Sequence, residues 1–307
     1  MKPLHFISGL PRSGSTLLSA LLRQNPQFHA GMSTGLYGLV STNLNMMSAG
    51  TELSLLMEEE QRPRILRALF EAYYADVEDG QVIFDTNRGW CAKMPLVKDL
   101  FPQARVIACV RDVPWIMDSL ERVIRKNPYE TTRLFAGDGD QATVHSRVET
   151  LARHDRLVGF GWTALKEAFY GEEGDRLLVI DYEYLARAPE AVLRLVYQFI
   201  GEPWFEGHDF ENVEYTADDY DAALGIKGLH TVRRKVSFES RPTILPPDLF
   251  QKFTDMSFWR DITGSRANVI TAKSDPASTP EGAVTAGTGA KGTGTGTEGS
   301  NNGSAAA

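Results

Sequence analysis

The chain has 307 residues, 32 Lys and Arg against 40 Asp and Glu, and a net charge of −8. That length holds one large α/β domain or two small ones, and the acidic balance excludes a protein that coats nucleic acid by neutralising phosphates. Two cysteines cannot build a disulfide framework, and no Cys/His cluster has metal-ligand spacing, so no metal is expected.

Leu4 to Ser8 is an apolar run that stops at Gly9, the pattern of a buried strand. Leu17, Leu18, Leu21 and Leu22 then repeat at helical spacing, which predicts a helix from about Ser15. Between them lies a tight turn, Gly9-Leu10-Pro11-Arg12-Ser13-Gly14-Ser15-Thr16, with a glycine at position 9 and another at position 14. A turn of this kind aims backbone N–H groups and the positive end of a helix dipole at one point, a setting suited to phosphate. The spacing is that of a P-loop with Ser15 where a lysine would stand, and with the cation moved to Arg12. Loss of that lysine weakens the case for chemistry on a nucleotide triphosphate, which uses it on the transferred phosphoryl group.

Phe28–Gly31 reads as a short extended piece, and a helix is expected from Gly35 to Met47. Residues 58–78 form an amphipathic helix with Ile65, Leu66, Leu69, Phe70 and Tyr73 on one face. Val82-Ile83-Phe84 is the next strand, and it is expected to deliver Asp85-Thr86-Asn87-Arg88 to the carboxyl edge of a sheet, where ligands of open parallel sheets bind. Asp85 and Arg88 have the chemistry of a base and a charge-spreading cation; the alternative is that Asp85 caps the next helix and pairs with Arg88.

Ala104–Val110 is a second fully buried strand, ending in Arg111-Asp112, and the helix after it has Pro114 in its first turn and carries Ser119. The pairing of P-R-S-G-S-T with L-F-P-x-A-R-V-I-x-x-V-R-D-(x6)-S resembles the sulfotransferase family. The resemblance covers residues 4–24 and 82–125 well and the rest loosely. It implies a P-loop-like sulfotransferase fold, an α/β parallel sheet flanked by helices, over residues 1–267. It also implies 3′-phosphoadenosine 5′-phosphosulfate (PAPS) as co-substrate, with no metal. Carried over residue by residue, Pro11, Arg12, Ser13, Gly14, Ser15 and Thr16 hold the 5′-phosphosulfate, and Arg111 and Ser119 hold the 3′-phosphate. A late basic loop closes over the nucleotide in family members, which makes Arg233 and Arg234, with Lys235 and His230 nearby, further candidates. Arg12, Asp85 and Arg88 are the candidate catalytic residues, although Thr86 and Asn87 depart from the commoner motifs at that strand end. The acceptor is a small molecule or a peptide. A P-loop kinase is the alternative.

Pro128–Gly139 reads as a loop or lid, and one long helix is expected from about Val144 to Tyr170, carrying His145 and His154. Arg176–Ile180 is a further strand, and Pro189–Ile200 a helix, with Asp181–Leu185 between them as scaffold. A last helix is expected over about Asp248–Met256, anchored by Trp259. Trp90, Trp115 and Tyr129 hint at an apolar or ring-bearing acceptor. Residues 268–307 turn to Gly, Thr, Ala and Ser and are expected to form a disordered tail. With the first strand opening at once and no apolar run of membrane-spanning length, a cytoplasmic protein is expected.

Overall fold

In the computed structural model, residues 2–130 and 132–271 are described. The strands are β1 (Leu4–Gly9), β2 (Phe28–Ala30), β3 (Val82–Thr86), β4 (Val106–Val110), β5 (Leu177–Asp181) and β6 (Asn268–Ile270). They form one sheet in the order β2-β3-β1-β4-β5-β6, and every neighbouring pair is parallel.

Between the strands run α1 (Ser15–Leu22), α2 (Leu36–Met46), α3 (Gln61–Tyr73), α4 (Met94–Leu100) and α5 (Val113–Lys126). Then come α6 (Asp138–Gln141), α7 (Val144–Ala152), α8 (Leu157–Tyr170), α9 (Tyr182–Arg187) and α10 (Pro189–Ile200). The short α11 (Asp218–Ala223) and α12 (Pro247–Lys252) complete the described helices.

Strand alternation sorts the core into two layers, since successive side chains point to opposite faces. Ile7, Phe84, Ile107, Cys109 and Ile180 pack on one face against Leu18 and Leu21 of α1 and Val192 and Val196 of α10. Phe6, Ile83, Val106, Ala108 and Val179 pack on the other against α3, α4, α5, α7 and α8. Every β1, β3, β4 and β5 residue is buried, which is why these strands read as continuous apolar runs.

Neighbouring strands β1 and β4 send their following helices, α1 and α5, to opposite faces of the sheet. Their carboxyl ends therefore part and leave a crevice, the place where open α/β sheets take ligands.

Three expectations change. The long helix is two, α7 and α8, because Arg153 adopts ψ 145° and breaks the hydrogen-bond ladder. The amphipathic helix is shorter than residues 58–78, running Gln61–Tyr73. The domain extends past residue 267, since Asn268–Ile270 pairs with Leu178–Ile180 as an edge strand. The rest of the expected tail, residues 272–307, lies outside the described residues. Among the described residues no helix is long and apolar enough to cross a membrane, and no group of His, Cys, Asp and Glu is placed to hold a metal. Cys91 and Cys109 are buried free thiols, pushed up by burial to about 11 and about 12.

Candidate active site

The turn from β1 to α1 is fixed by backbone contacts that leave no room for side chains at its start. Gly9 has φ 106°, and a Cβ there would lie 2.2 Å from the Cys109 carbonyl oxygen on the neighbouring strand. Leu10 N–H donates to that same oxygen at 2.9 Å. Gly14 is left-handed at φ 95°, and so is Arg12, at φ 58°. A non-glycine residue there costs about 1–2 kcal/mol, and such strain concentrates at functional sites. The first turn of α1 has no side-chain cap and no acidic residue, so its N–H groups keep their positive end toward the crevice.

Around this turn lies a cleft of about 340 Å³, lined among others by Pro11, Arg12, Gly14, Ser15, Thr16, Arg88, Arg111 and Ser119. The two sequence motifs thus meet. Arg12 Nε donates to Ser119 Oγ at 3.1 Å, joining the turn to α5 across the crevice. Arg111 leaves the end of β4 and stacks over the Tyr182 ring at 4.5 Å.

Arg12, Arg88 and Arg111 have no carboxylate within ion-pair distance among the described residues. Burial holds the Arg12 guanidinium down at about 10, with Arg111 adding to the effect, and burial likewise lowers Arg88 and Arg111. All three remain cations at neutral pH. Other arginines lining the same cleft are already matched: Arg233 with Glu239 at 2.6 Å and Arg241 with Asp118 at 2.7 Å. Three unmatched cations beside an uncapped helix N-terminus have the chemistry to hold a multiply charged anion.

Three sequence expectations require correction. Asp85 does not reach the cleft. It is the fourth residue of β3, 0% exposed, and accepts from Tyr74 Oη at 2.5 Å, Trp90 Nε1 at 2.6 Å and Thr34 Oγ1 at 2.8 Å. Because β3 runs on to Thr86, alternation turns Asp85 to the far face and gives the cleft Thr86, Asn87 and Arg88 instead. Asp85 neither caps the next helix nor pairs with Arg88: the cap is Asn87, which accepts from Gly89 N–H at 3.0 Å.

Ser13 is fully buried, and its hydroxyl is engaged by the carbonyls of Leu10 and, at 2.8 Å, Cys109. Its side chain locks the turn and has nothing left for a ligand. Ser13→Ala is therefore expected to lower stability by about 1–2 kcal/mol in urea unfolding while leaving anion affinity within about threefold; a loss of affinity tenfold or more at unchanged stability would restore the hydroxyl as a ligand.

Arg234 faces away from the cleft, with Nε donating to Asn212 Oδ1 at 2.9 Å. Arg233 and Lys235 line the cleft but are held by Glu239 and Glu211.

The aromatic hints do not converge on the cleft. Trp90 is core, Trp115 packs edge-on to Phe250, and Tyr129 is 97% exposed. His145 is exposed beside Asp248 at 3.3 Å. Two residues assigned no role from sequence do matter to the site: Tyr182, beneath Arg111, and Asp221, whose carboxylate holds His230. The D-Y-E-Y-L stretch was visible as a strand end, but nothing in it marks Tyr182 as a platform.

The family model described as the sulfotransferase family matches residues 3–206, about two thirds of the chain. Protein-tyrosine sulfotransferase 1 of Danio rerio is 27% identical over 216 residues, covering 66% of this chain and 54% of that protein. Protein-tyrosine sulfotransferase 2 of Gallus gallus is 27% identical over 217 residues, covering 66% of this chain and 52% of that protein. The chain thus spans about half the length of these relatives. The solved sulfotransferase domain from the curacin biosynthetic pathway superposes with a TM-score of 0.52 at 14% identity, over 82% of this chain and 95% of that one. That likeness is one of fold.

Proposed function

The chain belongs to the sulfotransferase family, and from that premise we propose that it transfers a sulfuryl group from PAPS to a hydroxyl acceptor. The observation that carries the reading is the set of three unmatched arginines, Arg12, Arg88 and Arg111, around the uncapped start of α1 at the sheet's switch point. PAPS supplies an activated sulfuryl group on a 5′-phosphate and a separate 3′-phosphate. The residues present fit both. The backbone of residues 9–16 and the first turn of α1 would receive the 5′ end, and Arg111 with Ser119 the 3′-phosphate. Arg12 lies between the two groups through its bond to Ser119, so its charge serves the leaving phosphate oxygen. Arg88, reaching in from the end of β3, spreads charge over the transferring group. For the acceptor, the relatives named above favour a tyrosyl phenol in a protein as the first class to try.

Calorimetric titration with adenosine 3′,5′-bisphosphate, against ATP with magnesium, tests the donor. The expected result is binding of the bisphosphate at least about 100-fold tighter than ATP, the free-energy worth of one charge-assisted contact set. Tighter binding of ATP with magnesium would overturn the reading and bring back the kinase alternative.

A further inference from the structure

Sulfuryl transfer to a hydroxyl needs a group to receive the hydroxyl proton, and Asp85 is walled off from the cleft. The charged and titratable side chains that do line the cleft are mostly committed. Glu239 is paired with Arg233, Lys235 with Glu211, Arg241 with Asp118, and Tyr182 lies under Arg111. His230 is different. Its Nδ1 lies 2.5 Å from Asp221 Oδ1, and its backbone N–H donates to Asp221 Oδ2 at 2.8 Å.

Asp221 sits in α11, 1% exposed, and both its oxygens are committed to this one residue. A carboxylate at Nδ1 fixes the tautomer: the ring proton stays on Nδ1, and Nε2 keeps its lone pair. Among the described residues nothing bonds to Nε2. A pair that only stitched residues 221 and 230 together would have no need to present its ring to the cleft that holds Arg12 and Arg88.

We propose that His230, oriented by Asp221, takes the proton from the acceptor hydroxyl during transfer; this rests on the sulfuryl-transfer reading above. The acceptor oxygen forms the new S–O bond as its proton passes to Nε2. The S–O bond to the donor's phosphate breaks, and its electron pair leaves on the phosphate oxygen beside Arg12. The imidazolium is then balanced by Asp221 until the proton passes to solvent, so atoms and charge close without a further reactant.

The groups facing the ring are Asp221, which favours the protonated form, Arg12 and Arg88, which oppose it, and the Tyr220 ring, its centroid 5.6 Å from that of the imidazole. Burial, the largest influence, joins the arginines, and the net effect lowers His230 from its ordinary value. At neutral pH the ring is neutral and able to accept.

The test uses the full chain, its His230→Gln and Asp221→Asn variants, and three readouts. These are sulfuryl transfer from labelled PAPS to 2-naphthol and to water, calorimetry with adenosine 3′,5′-bisphosphate, and ¹⁵N NMR of the histidine rings. Wild type is expected to show one histidine, missing from His230→Gln spectra, as the Nδ1–H tautomer titrating below 6.5. The acid limb of kcat should follow that titration, with activity lost as pH falls through it. His230→Gln should lower kcat by about 10²–10⁴-fold, flatten the acid limb and keep bisphosphate affinity within about threefold. Asp221→Asn should lower kcat less and shift the tautomer. Wild-type rates in His230→Gln, or an Nε2–H tautomer at His230, would overturn the proposal. So would bisphosphate binding without transfer to either acceptor, because a poised base should activate at least water. Failure of wild type to bind the bisphosphate at all overturns the sulfuryl-transfer reading itself, and this proposal with it.

Discussion

Arg111→Ala is expected to weaken binding of adenosine 3′,5′-bisphosphate by about 30- to 1000-fold, a loss of about 2–4 kcal/mol. The size follows from where the guanidinium stands. It stands on the residue just after β4, lies over the Tyr182 ring at 4.5 Å, and is matched by no carboxylate among the described residues. Removing it therefore orphans no partner in the protein, and the loss falls on the ligand rather than on the fold. Thermal unfolding of the free variant should shift by no more than a few degrees, since relief of like charge with Arg12 and Arg241 offsets the lost contact with Tyr182. Arg111→Lys should recover only part of the affinity, because an ammonium neither stacks on the ring nor forks onto a phosphate. Arg194→Ala is the control: Arg194 is outside the cleft, paired with Glu190 at 2.8 Å and stacked on Trp204. If Arg111→Ala binds the bisphosphate as wild type does, the anion site has been placed wrongly.

How much of this could be read from the chain depends on the length over which each signal persists. The residue 9–16 turn and the Arg111 strand end were legible because long buried runs, Leu4–Gly9 and Val106–Val110, stop abruptly at a glycine and an arginine. That the two strands are neighbours in the sheet is a finding of the fold, because β2 and β3 lie between them in the chain. Asp85 was misplaced by a small margin: ending the strand at Phe84 instead of Thr86 leaves Asp85 free to face the ligand, whereas continuing it turns the carboxylate to the other face. Arg234 failed for a related reason, since a run of basic residues does not say which side chain a bend turns inward: Arg233 and Lys235 line the cleft, while Arg234 is drawn to Asn212. The break between α7 and α8 carries no proline or glycine within Arg153–Arg156 to announce it. The Asp221–His230 contact joins residues nine apart in an irregular segment with no periodicity, so only the folded chain brings it out. Strand β6 is three residues long and draws its hydrogen bonds from β5, which is why composition alone assigned it to the tail.

Asp85 gives the sharpest separation between holding the fold and doing chemistry. Asp85→Ala is expected to cost about 3–5 kcal/mol of stability, because it strands the buried donors Tyr74 Oη and Trp90 Nε1 together with the half-buried Thr34 Oγ1. Asp85→Asn should cost far less. Its Oδ1 can accept from Trp90 while its amide donates to the Tyr74 and Thr34 hydroxyls, both of which can accept. The two forms should also differ in pH dependence. Burial raises the Asp85 carboxyl above its ordinary value, only partly opposed by the bonds from Tyr74, Thr34 and Trp90. The folded chain thus binds that proton more tightly than the unfolded chain. Stability from this group is greatest below the unfolded value of about 3.9 and falls as pH rises through the folded one. Asp85→Asn lacks that titration, so its stability relative to wild type should improve as pH rises over this interval, measured by urea unfolding across a pH series. Transfer to acceptor and bisphosphate affinity should both stay within several-fold of wild type in Asp85→Asn. An Asp85→Asn chain that folds and binds normally yet loses transfer a thousandfold would mean that the carboxylate takes the proton after all, and that β3 opens toward the cleft during turnover.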